Sequence, residues 1–478
     1  MISFSRITSH ILNNKIQSLT FFFIGIYIIS AITVSVLRFW QFEAGYFDFG
    51  VNDQAIWSVS RFKLPITYHP NYLNGFGIHL ADHFSPSIYF LSPLYWLTSR
   101  QEIILIAQAV FVGLSALVGW AVAKKFIKND FVVFALVFSY LGFIGMQNAL
   151  ITEFHEATLS PLFILLSFWA IVNKKWKIFY ICLFIILGLK ETFAGLTTGL
   201  GIFMVLYDRK NLRHALATIL ISLSWAFIIT KFVIPNLSGR PYFYAPEHGV
   251  SSFFNLLSAF LHFDIRLKTL FYSFLSFGFL PLFSLPLLPA ISENFLSRFL
   301  AEGYPRYTLA FHYSAPLAAL MFFSSVLVLS KIEKNIKLRK IAVPFGLLMI
   351  INTFFLHQFI LHGPLGLSYN KVFYTQTKNN KYVEDFIKRV PKDGLIMAQN
   401  NIAARFAHEK IMMLDKNYQN WNAKYIVLNL TPGQNPNNFF PLSYEHAVEL
   451  KDRIIYDGRY RLTKHGDELY LFTRLDSK

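Results

Sequence analysis

Long apolar runs separated by short polar connections dominate the first three quarters of the chain. Runs of spanning length lie at about 19–39, 101–123, 131–150, 157–172, 215–234, 313–330 and 341–361, each near the roughly 20 residues a helix needs to cross a bilayer core. Two further runs are interrupted. The run 178–206 is too long for one span and carries Lys190-Glu191 in its middle. The run 269–291 holds Pro281, Pro286 and Pro289, and an interior proline removes a backbone donor and breaks the helix. Each reads as a pair of short or broken helices, so the pattern predicts about 11 transmembrane or half-membrane helices. The first run is followed by Arg38-Phe39-Trp40, not by a small-residue cleavage pattern, and reads as a retained span.

Beyond residue 361 the pattern changes. Helical periodicity at 378–390, 401–408 and 443–456 alternates with strand-like runs at 395–398, 410–414 and 425–430, and a final hairpin is expected to turn at Gly466-Asp467. The expected fold class is therefore mainly α, a polytopic membrane domain over 1–361 with a large first outer loop at 40–100, followed by a small soluble α/β domain over 362–478.

Composition agrees with the pattern. Hydrophobic residues make up 54% and charged residues 15%, against roughly 45–50% and about 25% in soluble domains. A single-span receptor and a secreted enzyme are excluded. Cys182 is the single cysteine, which excludes an intrachain disulfide or a cysteine-based zinc site. The formal charge of +17 acquires meaning from its placement. Lys124-Lys125-Lys128, Lys174-Lys175-Lys177, Arg209-Lys210-Arg213 and Lys331-Lys334-Lys337-Arg339-Lys340, with Arg6 and Lys15, mark cytoplasmic connections, not a nucleic-acid surface. This orientation predicts a multi-pass protein of the cytoplasmic (inner) membrane, amino terminus inside and C-terminal domain extracytoplasmic. The remaining polar clusters then all fall on the outer face.

Several of those clusters have chemical potential. Asp48 precedes an apolar pattern at Ala55, Val59 and Phe62 that suits an interfacial amphipathic helix with Trp57 at headgroup level. Asp48 or Asn52 caps that helix in one reading; in the other, Asp48 is a carboxylate that takes a proton from an acceptor hydroxyl. His79 and His83 are spaced i, i+4 with Asp82 between them. Backbone hydrogen bonding is one role for them, and a divalent metal held by His79, His83, His155 and Glu156 is the other option, although no metal or other cofactor is required. Glu153, His155 and Glu156 form a further outer polar cluster. Lys190-Glu191 inside an apolar hairpin is either an internal ion pair or a phosphate contact in which Glu191 orients Lys190. Arg240, Arg298, Arg306 and His312 are candidates for the same anionic group. Motifs for nucleotide hydrolysis, serine hydrolysis and zincin proteolysis do not occur.

Phe47-Asp48-Phe49-Gly50, Asp53-Gln54-Ala55-Ile56-Trp57, His79 with His83-Phe84-Ser85-Pro86, Glu153-Phe154-His155-Glu156, Leu189-Lys190-Glu191, Ser292-Glu293-Asn294, His312-Tyr313 and Val390-Pro391-Lys392-Asp393 occur in this order. The chain thereby resembles the predicted prokaryotic membrane proteins catalogued as domain of unknown function 2079, which look like a branch of the C-type (GT-C) glycosyltransferase superfamily. The resemblance implies a polyprenyl-phosphate-linked sugar as donor, an acceptor on the outer side and an acid in the first outer loop as base. Asp48 occupies that position, with Asp53 as its deputy. Superfamily members often carry two neighbouring acids there, whereas Asp48 is followed by Phe49-Gly50. The partners expected are membrane lipid, the lipid-linked sugar and an acceptor, with no nucleic acid. A lipid or solute transporter or flippase, and a non-catalytic envelope scaffold, are the competing readings. A single cavity joining the outer clusters separates an enzyme from a scaffold.

Overall fold

The computed structural model describes residues 15–244, 265–301, 303–465 and 468–475. Five helices are long and apolar enough to cross a membrane: Lys15–Trp40, Glu102–Phe126, Arg209–Ser238, Tyr304–Lys334 and Arg339–Ile360. The pair Asp130–Gly142 and Ile144–Ile151 forms a sixth span bent by 46°. Glu156–Val172, Trp176–Leu187 and Phe193–Tyr207 are shorter apolar helices, and Ile265–Ser276 and Leu288–Phe299 flank the proline-rich turns. Eleven helical segments thus make up the apolar part among the described residues, and the long run divides into a hairpin at Gly188–Thr192 as its length required.

Burial follows sequence pattern. Ala315–Ser330 is buried along its whole length, as befits a helix that is apolar on every side and sits at the centre of a bundle. It packs on Glu156–Val172, which in turn packs on Glu102–Phe126. The outer helices instead expose Leu216, Leu220, Leu223 and Phe227, or Leu347, Ile351 and Phe354, the surface a bilayer would cover. Glu333 accepts hydrogen bonds from Lys128 N at 2.8 Å and Asn129 N at 2.9 Å, and Lys125 bonds Asn173. Three basic connections therefore meet at one end of the bundle.

At the other end the first loop and the C-terminal residues pack together. Strands β1 (Ile66–Tyr68) and β2 (Phe76–Ile78) form an antiparallel hairpin. Strands β3 (Ile396–Ala398), β4 (Ile411–Met413), β5 (Tyr425–Asn429), β6 (Tyr460–His465) and β7 (Leu469–Arg474) form one sheet of order β4-β3-β5-β7-β6. The first three run parallel and β7 is antiparallel to both its neighbours. The turn expected at Gly466-Asp467 lies outside the described residues, as do Arg6 and residues 245–264 of the loop before Ile265. The sheet region is tied down by Arg405, which donates to Phe39 O at 3.2 Å and lies 4.2 Å over the Phe39 ring, and by Gln41, which donates to Phe373 O at 2.7 Å.

This docking changes the reading of Val51–Ser60. The helix exists, and Val51 to Ile56 are all buried, so protein covers its first half. Trp57 stacks on His408 at 4.0 Å and 6°. Most of the covering residues belong to the first loop itself, from Ile66 to Leu97, and His408 and Glu409 add contacts from the C-terminal region; local amphipathicity reveals neither.

Candidate functional site

A cavity of about 640 Å³ opens between the first loop, the hairpin at Lys190-Glu191 and the segment from Glu293 to Tyr313, a volume typical of small-molecule sites. Most of the predicted polar clusters reach it.

Asp48 lines the cavity from a five-residue π turn, Tyr46–Gly50, that runs directly into Val51–Ser60. Its side chain caps no backbone N–H, so the capping role expected of it is not the one it has. The turn is held from several sides. Asn52 Nδ2 donates to Asp48 O at 2.9 Å, and Asn52 Oδ1 meets His79 Nε2 at 3.2 Å. His79 Nδ1 meets Tyr89 OH at 3.2 Å. Burial pulls the His79 pKa down to about 4, so the ring is neutral near pH 7 and acts as a relay of hydrogen bonds. Glu153 Oε2 accepts from Phe49 N at 3.0 Å. Glu153 itself adopts φ 136°, a conformation costly for a non-glycine residue and common where a site demands it. Burial first, and the neighbouring Asp48 charge second, raise its carboxyl well above the usual range. Glu153 stands behind the wall, not in it.

Lys190 and Glu191 diverge. Lys190 Nζ bonds Glu156 Oε1 at 2.7 Å; burial opposes its charge, but Glu156 and Glu191 outweigh burial and raise its pKa. Glu191 accepts from Phe84 N at 3.1 Å and Tyr242 OH at 2.6 Å and meets His83 Nδ1 at 2.9 Å. Burial is overcome by His83 and Lys190, and the Glu191 pKa falls to about 2. The internal ion pair expected of the two residues is not formed: Lys190 pairs with Glu156, and Glu191 orients His83. Tyr244 stacks on His83 at 4.3 Å and donates to Asp82 at 2.9 Å.

The far wall is cationic. Arg298, 4% exposed, donates through Nε to Arg306 O at 2.9 Å and through Nη2 to Thr308 O at 2.7 Å. Its Nη1, the Asn294 Oδ1 and both ring nitrogens of His312 are buried without partners among the described residues. His312 stacks on His155 at 3.6 Å, and Arg306 also lines this part. Buried polar atoms without partners are costly, and these belong to three residues that line the cavity. Arg298 Nη1 offers a fixed donor to an anionic oxygen.

Besides Glu153, two further candidates fall outside. Asp53 is fully buried away from the cavity, bonded to Tyr95 OH and to Gln101 Nε2 at 2.7 Å, with His408 Nε2 at 3.2 Å. It is therefore a structural acid at the junction with the sheet region and no deputy for Asp48. Arg240 does not line the cavity. His79, His83, His155 and Glu156 are each engaged with a different neighbour, and no group of three His, Cys, Asp or Glu among the described residues is arranged to hold a metal ion. Sequence reasoning missed His69, Tyr242 and Tyr244 as wall residues. Lone aromatic and histidine residues in loops carry no spacing signal.

No curated protein matches the chain by sequence. Among solved structures, the crystal structure of ArnT from Cupriavidus metallidurans bound to undecaprenyl phosphate superposes with a TM-score of 0.50 at 10% identity, covering 95% of this chain and 98% of that one. The chain thus shares the ArnT fold. The family of predicted membrane proteins known as DUF2079 matches residues 38–471, and the chain belongs to that family.

Proposed function

We propose that the protein is an integral-membrane glycosyltransferase that moves a sugar from a polyprenyl-phosphate donor to an acceptor hydroxyl at the extracytoplasmic rim. The observation that carries this reading is the pairing, across one cavity, of a carboxylate at Asp48 with the unpartnered donor of Arg298 and the neighbouring Arg306 and His312. The undecaprenyl phosphate bound by the ArnT structure supports a lipid phosphate as the anionic group.

In this reading the donor phosphate sits against Arg298, Arg306 and His312, with Lys190 beside it. The acceptor oxygen forms a bond to the anomeric carbon while the carbon–oxygen bond to phosphate breaks. The bonding electrons leave on the phosphate, whose charge Arg298 and Arg306 stabilise. The acceptor proton passes to Asp48. Attack opposite the leaving group inverts the anomeric centre. The exposed apolar helices give the isoprenoid tail its path, and no metal enters the scheme.

The test uses the full chain in lipid nanodiscs with undecaprenyl-phosphate-linked hexoses and pentoses and an envelope lipid extract, following release of undecaprenyl phosphate. Asp48→Asn should abolish release while leaving undecaprenyl phosphate affinity unchanged. Full turnover by Asp48→Asn would remove Asp48 as base, and uptake of an unaltered solute into vesicles would favour a transporter.

A further inference from the structure

We propose that Asn400, in the C-terminal sheet region, is a positioning residue for Asp48, so that this region completes the reaction site. The proposal rests on the reading of Asp48 as base.

From β3 the chain passes to β4 on one side, then returns to β5 on the other. Open sheets of this kind present a crevice at the carboxyl ends of the strands where the order reverses, and ligands bind there. In this protein the crevice is filled from within. Gln399 Oε1 accepts from Asn429 N at 2.6 Å, and Gln399 Nε2 donates to Asn401 Oδ1 at 3.0 Å and Gln434 Oε1 at 3.2 Å. Asn400, two residues beyond β3, turns the other way, toward the first loop.

Its side-chain oxygen meets the start of the turn that carries Asp48. Asn400 Oδ1 accepts from Phe47 N at 2.9 Å, and Asn400 Nδ2 donates to Asn437 O at 3.1 Å. The residue is 2% exposed. Phe47 N belongs to the first helical positions, whose donors have no partner within the helix; Asn400 supplies that partner from 353 positions away. Gly45 confirms the closeness of the fit. A Cβ there would lie 2.5 Å from Asn400 Nδ2, although the Gly45 backbone, φ −100°, suits any residue. Glycine stands at this position to leave room for the amide. The Phe47 ring is then set between Phe440 at 4.7 Å and His69 at 5.0 Å.

Glu153 holds Phe49 N from the membrane side and Asn400 holds Phe47 N from the sheet side. Asp48 is the residue between these two grips. Displacing a reacting group by about 1 Å costs on the order of 100-fold in rate, so either grip acts on turnover through Asp48 without touching substrate.

The test compares Asn400→Leu, Gly45→Ala and Asn400→Asp in the full chain in nanodiscs, checked for monodispersity. One readout is amide exchange across residues 45–50; the other is undecaprenyl phosphate release from the lipid-linked sugars. Asn400→Leu and Gly45→Ala should speed exchange at Phe47 by about tenfold. They should lower kcat by about 10- to 100-fold with the donor KM held within about twofold. Asn400→Asp keeps an acceptor for Phe47 N and should restore protection. Unchanged exchange in both Asn400→Leu and Gly45→Ala overturns the proposal, whatever the turnover. A loss confined to donor KM also overturns it. Faster exchange with full turnover, alongside an inactive Asp48→Asn, overturns the positioning role while leaving the proposed function intact. Full turnover by Asp48→Asn sinks that function instead and takes the positioning role with it.

Discussion

Lys190 stands next to Glu191 in the chain, yet its ammonium pairs with Glu156, 2.7 Å away and 34 positions earlier. The pair bridges the start of Glu156–Val172 and the hairpin between Trp176–Leu187 and Phe193–Tyr207, both side chains being largely buried. It fixes the floor of the cavity, and Glu191 is left free to orient His83.

Removing one partner leaves the other charged and buried. Lys190→Met should therefore cost about 3–5 kcal/mol, and Lys190→Met combined with Glu156→Gln should recover at least half of that loss. Reversible unfolding in SDS and urea, run as a double-mutant cycle, measures the coupling. Additive losses would mean that the two side chains do not share an interaction in the folded protein.

The His83–Glu191 contact makes a pH-dependent contribution whose sign is fixed by the two shifts. The His83 pKa is raised: burial and Lys190 oppose its charge, but Glu191 and Asp82 prevail. Its contribution is complete below the ordinary histidine value near 6.5 and fades as pH climbs through the higher folded value. The Glu191 pKa is lowered to about 2, so its contribution is complete above the ordinary glutamate range and fades as pH falls toward about 2. Thermal unfolding across pH should show wild type gaining most over His83→Gln between about pH 5 and 6.5, with the advantage shrinking on either side. A difference that is constant with pH would refute the charged pair.

The helices were legible because a bilayer span is a local property: about 20 apolar residues announce themselves wherever they occur. The hairpin at Lys190-Glu191 was legible for a related reason, since basic connections on both sides forced the chain to return. The division between Asp48 and Asp53 was not. Both acids lie on one short segment, and which one meets the cavity depends on Tyr95, Gln101 and His408 gathering around Asp53. Trp57 illustrates the same limit, because an aromatic on a short amphipathic pattern fits either a headgroup layer or a stack against His408. Pairings such as Lys190 with Glu156, or Asn400 with Phe47, are products of tertiary packing and leave no mark in local spacing.

Asp53 gives a contrast to Asp48. Asp53→Asn retains an acceptor for Tyr95 but weakens the junction with Gln101 and His408, so stability should fall by about 1–3 kcal/mol. The kcat of the folded fraction should stay within about twofold of wild type, whereas Asp48→Asn should lose turnover with little change in stability. Unfolding curves and undecaprenyl phosphate release on the same preparations separate the two acids. Loss of turnover without loss of stability in Asp53→Asn would return it to the list of bases.

Arg298 offers the sharpest test of the anionic subsite. Two of its nitrogens are spent on Arg306 O and Thr308 O, which lock the guanidinium plane and leave Nη1 buried without a partner among the described residues, in a residue that lines the cavity. A lysine would keep the charge, but a single ammonium cannot reproduce the planar fork that holds both carbonyls while presenting a third donor. Arg298→Lys and Arg298→Gln should therefore both weaken undecaprenyl phosphate binding by about 1.5–3 kcal/mol, roughly 10- to 100-fold in Kd. Arg240→Gln, outside the cavity, should leave Kd within about twofold. Native mass spectrometry of the nanodisc-extracted protein with added undecaprenyl phosphate measures all three. If Arg298→Lys binds as tightly as wild type, net charge alone attracts the lipid phosphate and the fixed Nη1 donor has no part in recognising it.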